Sequence, residues 1–167
     1  IRDSPYDTKE ILNKIFVSLD KIKPSNLIIV GDLLHDVFST LSIKDQDYKN
    51  LSHYMKNTDF IWIKGNHDKN IQIEGFKNFT NYKIEKFLFT HIPIETSLFQ
   101  ICGHYHPKVK ISHRGKTIFK TCFVHNEKIF ILPSFGILTG GLDILSTQIS
   151  DVLGKNNLSI YPVGQDK

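Results

Sequence analysis

The sequence predicts an α/β fold in which two β-sheets are covered by helices. In the first half of the chain, segments with helical periodicity alternate with short apolar runs, in the order helix, strand, helix, strand. From residue 82 onward the runs are short, rich in β-branched and aromatic residues, and joined by polar turns. No repeat or linker composition divides the 167 residues. We therefore expect one domain over residues 1–167.

Four elements are predicted in the first half. A helix with Pro5 at its first position has apolar residues at helical spacing up to Ile22. The apolar run at residues 26–30 predicts a strand buried on both faces. The spacing over residues 48–55 predicts a second helix, and residues 60–63 predict a second buried strand.

The second half is predicted to be mostly strands. They are expected at residues 86–90, 99–102, 108–112, 117–124 and 128–132, with an edge strand at residues 158–161. Asn126 and Glu127 are typical of a hairpin tip between two of these strands.

Composition excludes two classes of protein. With 40% hydrophobic residues the chain can form a core, which excludes global disorder, and no apolar run is long enough to span a membrane. The net charge of +4 comes from basic residues that are spread along the chain, which favours a solvated basic surface over a dedicated anionic partner. Cys102 and Cys122 lie in apolar runs, where free cysteine behaves as a small apolar residue, so we expect a reducing, cytoplasmic location, with a disulfide between the two as the alternative.

The candidate metal-binding and catalytic residues lie in the turns that follow four of the predicted strands. These turns are Gly31-Asp32, Gly65-Asn66-His67-Asp68, His91, and Gly103-His104-Tyr105-His106. Ligands of α/β sheets bind beyond the carboxyl ends of the strands, and the turns supply oxygen and imidazole donors that suit divalent cations.

Each turn also has an ordinary structural interpretation. Gly-Asp after a strand is common turn chemistry, and a single histidine such as His91 is often structural. A histidine between an amide and a carboxylate, as at His67, is rarer, and two imidazoles two residues apart can reach one cluster. The four turns in this order favour a metal site over coincidence.

These turns resemble the ordered motifs of the calcineurin-like metallophosphoesterases, D-x-H, G-D, G-N-H-[DE], H and G-H-x-H. All but the first are present, over residues 26–106. The resemblance implies a layered αββα sandwich that lacks its first strand here. It also implies a phosphoesterase that uses two divalent metal ions, with Mn, Fe or Zn favoured by the mixed ligands.

The resemblance also implies roles for individual residues. Asp32 bridges the two metals, Asn66, His91 and His104 complete one site, and His106 belongs with Asp32 to the other. His67 then protonates the leaving-group oxygen, while Asp68 holds its other ring nitrogen. His35 is a candidate substrate contact, with a structural role as the alternative.

The opening D-x-H motif has no counterpart in residues 1–24. The chain begins with Ile1 and its only methionine is Met55, so we expect the motif to lie upstream and this sequence to be incomplete at its N-terminus. One metal site is then left with two ligands. An inactive metal-binding scaffold is therefore kept as an alternative to an enzyme.

A second resemblance involves residues 132–136 and 139–141, which are similar to the C-terminal pattern of the DNA ligase-associated metallophosphoesterases, the PdeM branch. It implies a phosphodiesterase or nuclease acting on DNA in repair, in association with a ligase or helicase and without a membrane. A small-molecule phosphomonoesterase or a cyclic nucleotide phosphodiesterase remains the alternative.

Overall fold

The computed structural model describes residues 5–33, 45–68, 70–136 and 140–164, with side chains described from residue 9 in the first range and residue 46 in the second. The fold is mixed α/β, with one parallel and one mixed sheet, as predicted. The contacts group the described residues into two compact units. The first is drawn from Ile1–Asn81 with Gly136, and the second from Tyr82–Phe135 and Thr139–Lys167.

The first unit is a parallel sheet with two helices. Its elements are α1 (Pro5–Ile22), β1 (Asn26–Val30), α2 (Asp45–Tyr54), β2 (Asp59–Ile63) and β3 (Lys77–Phe79), and the strand order is β1-β2-β3. The last residues of β1 and β2, Val30 and Ile63, are directly paired. The turns that follow these two strands therefore begin at the same level of the sheet.

The core of the first unit confirms the helical spacing. Leu12, Phe16 and Leu19 of α1 and Leu51 of α2 are buried with the aromatic side chains of β2. The expectation that β1 is buried on both faces is wrong, because its last four residues are only half-buried. Within the described ranges it is the end strand of the order β1-β2-β3 and pairs on one side, whereas residues 60–63 of the central β2 are buried. Ile22, in the last turn of α1, is also exposed rather than packed.

The second unit is built around the mixed sheet. Its elements are β4 (Asn81–Ile84), β5 (Phe87–Thr90), β6 (Phe99–Cys102), β7 (Lys108–His113), β8 (Lys116–His125), β9 (Ile129–Ile131), α3 (Thr147–Leu153) and β10 (Ser159–Pro162). The strand order is β10-β8-β9-β6-β5-β4, and β7 pairs with β8. The predicted strands are confirmed, with bounds that differ by one or two residues. The sequence missed β3 and β4 because they are mostly exposed and lack the apolar run that marks the equally short β9, and it missed α3 because seven residues show too little helical period.

The predicted hairpin tip joins β8 to β9, which are antiparallel. The side-chain Oδ1 of Asn126 accepts hydrogen bonds from the backbone N–H groups of Lys128 and Ile129, both at 2.8 Å. The asparagine thereby satisfies the amides that the turn leaves without strand partners.

One face of the mixed sheet forms the core of the second unit. Cys102, Cys122, Val124 and Ile131 are fully buried there, together with apolar residues of α3. None of the helices in the described ranges is long and apolar enough to cross a membrane.

Candidate metal centre and active site

The turn after β1 carries the candidate bridging carboxylate. Gly31 has φ 81° and Asp32 has φ 48°, so two successive residues adopt the left-handed conformation. The Oδ1 of Asp32 accepts a hydrogen bond from the backbone N–H of His67 at 3.0 Å. The turns after β1 and β2 are thus joined through the residue predicted to bridge the metals.

Asp68 joins the same two turns from inside the protein. Its side chain is 0% exposed, its Oδ1 accepts the N–H of Gly65 at 2.6 Å, and its Oδ2 accepts the N–H of Leu33 at 3.1 Å. Burial raises the pKa of the Asp68 carboxyl, and the two amide hydrogen bonds partly oppose that rise. The side chain of Asp68 holds backbone amides here, a contact that the sequence did not indicate.

His67 is exposed on the same turn, in contrast to the buried Asp68 beside it. The ring of His67 is therefore accessible to a substrate, while its backbone N–H is held by Asp32. Asn66 is also exposed. His35 lies outside the described residues.

Gly65 is required by the close approach of these turns. A Cβ at this position would collide with the carboxylate of Asp32 and would lie 2.6 Å from its backbone nitrogen. Any larger residue would push Asp32 away from the turn after β2. The sequence showed the glycine, but only the fold shows which neighbour requires it.

The second unit brings His91 and His104 together. His91 follows β5 and is 6% exposed, and His104 follows β6, which is parallel to β5. The backbone N–H of Gly103 donates to the carbonyl of His91 at 3.2 Å, and His104 Nδ1 lies 3.2 Å from His91 Nε2. Two residues that the sequence predicted to share a metal are in direct contact.

The spacing of the two nitrogens fits coordination of one cation. Two nitrogens about 2.1 Å from a common ion lie roughly 3.0 Å apart at a 90° angle and roughly 3.4 Å apart at a tetrahedral angle. The 3.2 Å between His104 Nδ1 and His91 Nε2 falls between these values. Without a metal, the same distance suits a hydrogen bond between one protonated and one unprotonated ring nitrogen.

Backbone geometry distinguishes three of the predicted ligands. Asp32, His104 and His106 have φ values of 48°, 66° and 45°. Such angles are uncommon for residues other than glycine and cluster at functional sites, where the surrounding structure maintains them. Positive φ also occurs at Lys23, Glu85, Arg114 and Asn157, so the angles of these three residues describe the turns that carry them and do not by themselves indicate a metal site.

The turn that carries His106 is supported from the segment around Gly141. A Cβ on Gly141 would collide with the carbonyl of His106 and would lie 2.8 Å from Cε of Lys108. The N–H of Leu142 also donates to the carbonyl of Tyr105 at 3.3 Å. This glycine therefore permits close packing against the turn that contains two predicted ligands.

A family model described as calcineurin-like phosphoesterase matches residues 2–157. The chain belongs to the calcineurin-like phosphoesterase family. It is accordingly a metal-dependent phosphoesterase, a hydrolase of phosphate esters, and the predicted family and enzyme class are confirmed. The family uses divalent metal ions, in agreement with the oxygen and imidazole donors described above.

This calcineurin-like phosphoesterase is also similar to a solved structure. The crystal structure of the nuclease MPE from Pseudomonas putida matches with a TM-score of 0.69 and 26% sequence identity, covering 87% of this chain and 74% of that one. No curated protein matches the chain significantly.

Proposed function

We propose that the chain hydrolyses phosphodiester bonds of nucleic acid. The observation that supports this substrate is the similarity to a nuclease over 87% of the chain, at 26% identity. The resemblance of residues 132–136 and 139–141 to the DNA ligase-associated branch favours DNA within this class. A role in DNA repair beside a ligase or helicase, in the cytoplasm, is part of the same proposal.

We infer that Asp32, Asn66, His91 and His104 hold one divalent cation and that Asp32 and His106 contribute to a second, with Mn, Fe or Zn as candidates. The contact of 3.2 Å between the rings of His91 and His104 supports a shared ion. When bound, such cations polarise the phosphoryl group and lower the pKa of the attacking water.

The chain supplies the proton for the leaving group through His67. Its exposed ring is accessible to a polymeric substrate, and the hydrogen bond of 3.0 Å from its backbone N–H to Asp32 fixes its position relative to that carboxylate. An imidazole ring can donate a proton from a ring nitrogen to a leaving-group oxygen within hydrogen-bond distance. Asp68 maintains the turn that presents this ring, and its predicted hydrogen bond to the other ring nitrogen of His67 stays a prediction.

The test compares substrates with Mn²⁺ present: a single-stranded oligonucleotide, bis-p-nitrophenyl phosphate, p-nitrophenyl phosphate and a cyclic nucleotide. We expect the oligonucleotide and the model diester to be cleaved. His104→Ala should reduce both activities by at least about 100-fold, since even outer-shell partners of a metal contribute 10- to 100-fold. His53→Ala is the matched control, because His53 is exposed on α2.

The other functions give different results. Cleavage of p-nitrophenyl phosphate or of the cyclic nucleotide alone would favour a small-molecule phosphatase or a cyclic nucleotide phosphodiesterase. Stoichiometric bound metal without hydrolysis of any substrate would favour the inactive scaffold. Either result would contradict the proposed nuclease activity.

A further inference from the structure

The β7–β8 hairpin concentrates positive charge in the second unit. Residues 108–120 contain Lys108, Lys110, Arg114, Lys116 and Lys120 and no acidic residue. No aspartate or glutamate occurs between Glu95 and Glu127. The expectation that the basic residues are merely spread along the chain is therefore wrong for this segment. A surface of this kind attracts a polyanion.

Strand register places aromatic rings on the same sheet face as two of these lysines, Lys108 and Lys110, whereas Lys116 and Lys120 have the parity of the opposite face. Lys110 pairs with Phe119, and Tyr161 of β10 pairs with Phe123 on the same side of β8, because residues of equal parity share one face. We call this surface the basic-aromatic face, and it comprises Lys108, Lys110, Phe119, Phe123 and Tyr161. The opposite face of β8 is different, since Cys122 and Val124 are fully buried in the core.

Two of the three rings of the basic-aromatic face are exposed, whereas Phe123 is half-buried against Phe130. Phe119 is 57% exposed and Tyr161 is 56% exposed. Tyr161 also stacks on His125, with ring centroids 6.0 Å apart and an interplanar angle of 8°. A flat, partly exposed ring that is supported by another ring offers a stacking surface for a base. Single exposed apolar residues are ordinary, but here two exposed aromatic residues share one sheet face with two lysines, one of which, Lys110, is paired directly with Phe119.

The hairpin also begins close to a predicted ligand. Lys108, the first residue of β7, follows His106 by two positions, and its backbone is paired with Leu142 and Ile144 at 2.8 and 2.9 Å. From there β7 continues for six residues, which is about 20 Å at roughly 3.4 Å per residue. A single-stranded nucleic acid bound along this hairpin would extend towards the turn that contains His104 and His106.

We propose that the basic-aromatic face binds single-stranded nucleic acid, with Lys108 and Lys110 contacting phosphates and the exposed rings of Phe119 and Tyr161 stacking on bases. Cations that follow the backbone, together with sequence-tolerant stacking, are the usual means of binding unpaired strands. The inference deepens the proposed nuclease function and rests on it for the link between binding and cleavage. Binding itself is measurable without cleavage.

The test measures fluorescence anisotropy of labelled single-stranded DNA, single-stranded RNA and duplex DNA, longer than about 16 nucleotides, in EDTA. Phe119→Ala and Tyr161→Ala should each raise the Kd for single strands by at least about fivefold. Lys110→Ala should reduce the slope of log K against log salt by about 0.7, the value for one lost phosphate contact on a single strand. The ratio of the affinities for single-stranded DNA and single-stranded RNA shows which of the two the face prefers.

Matched controls lie nearby. Ile118→Ala removes a side chain that is 49% exposed on the opposite face of β8, and Lys155→Ala removes an exposed lysine after α3. Neither should change the Kd by more than about twofold, since neither removes a stacking ring or a lysine of the face. Equal effects of Ile118→Ala and Phe119→Ala, or tighter binding of duplex than of single strands, would overturn the proposal.

Hydrolysis of bis-p-nitrophenyl phosphate separates the two proposals. If Phe119→Ala loses oligonucleotide affinity but hydrolyses the small diester at an unchanged rate, the result supports the proposed role of the face in binding. A second result is that the unmodified chain hydrolyses oligonucleotides while Phe119→Ala and Lys110→Ala leave the oligonucleotide affinity unchanged. That result overturns the proposed binding face but leaves the nuclease function. Oligonucleotide affinity that depends on Phe119, without cleavage of any substrate, supports the face and contradicts the nuclease function.

Discussion

The Oδ2 of Asp68 accepts a hydrogen bond from the backbone N–H of Leu33 at 3.1 Å, although the two residues are 35 positions apart. Leu33 directly follows the candidate bridging residue Asp32, and Asp68 ends the Gly65-Asn66-His67-Asp68 turn. A buried carboxylate thus connects the two turns that carry the predicted ligands of the first unit. Its other oxygen accepts the N–H of Gly65 at 2.6 Å, so both oxygens are used.

We expect Asp68→Asn to lower the free energy of unfolding by about 1–3 kcal/mol, because the new amide NH₂ cannot accept one of the two buried N–H groups. Since burial disfavours the charged form and raises the pKa of Asp68, the neutral asparagine regains part of the desolvation cost. Asp68→Ala should be more destabilising, since both amides lose their acceptor. Urea denaturation in EDTA measures these changes independently of metal.

Asp59→Asn is the control for a carboxylate on the surface. Asp59 forms an exposed ion pair with Lys77 at 2.7 Å, and such pairs contribute about 0–1 kcal/mol. If Asp68→Asn proves no more destabilising than Asp59→Asn, Asp68 does not hold the two turns together.

Gly65→Ala should move Asp32, because the added methyl group would overlap its carboxylate. We expect a loss of about 1–3 kcal/mol of stability, the usual cost of overpacking, together with weaker binding of Mn²⁺. Gly140→Ala is the matched control, because a Cβ there has open space within 4 Å. Isothermal titration with Mn²⁺ and urea denaturation measure the two effects, and equal Mn²⁺ affinity in both variants would contradict the role given to Gly65.

Metal binding should stabilise the folded chain through His91 and His104. A ligand at 100 times its Kd adds about 2.7 kcal/mol to the free energy of unfolding. We expect Mn²⁺ to raise the Tm of the unmodified chain and EDTA to reverse the shift. His91→Ala should remove most of the shift because it takes away a ligand of the pair, whereas His53→Ala should preserve it. A full shift in His91→Ala would exclude His91 as a ligand.

The thiols of Cys102 and Cys122 should be inert in the native state. Both side chains are 0% exposed, and burial raises the pKa of Cys102 to about 12 and that of Cys122 to about 11. Because a raised pKa keeps a thiol protonated, the reactive thiolate of Cys122 forms only about one part in a thousand at pH 8. We expect no rapid reaction with a disulfide reagent at pH 8, and reaction of two thiols after unfolding in urea. Rapid labelling of the native chain would contradict the burial of both residues.

The local spacing of apolar residues was sufficient to predict much of the fold. Helical spacing identified Leu12 and Leu51 as core positions, and the apolar run at residues 60–63 identified a buried strand. The same pattern overestimated the burial of β1, since periodicity does not indicate whether a strand is central or at the end of a sheet. The strands β3 and β4 escaped detection because their three or four residues are mostly exposed and form no apolar run.

The sequence by itself determined which residue types follow each strand, and therefore the family and the metal-binding chemistry, because strand ends and turn residues are local signals. Only the tertiary structure decided that Asp68 binds Leu33, that His104 contacts His91, and that Phe119 lies beside Lys110. These partners are set by strand register and by the paths of turns. Both depend on interactions between segments distant in the chain, which no local spacing encodes.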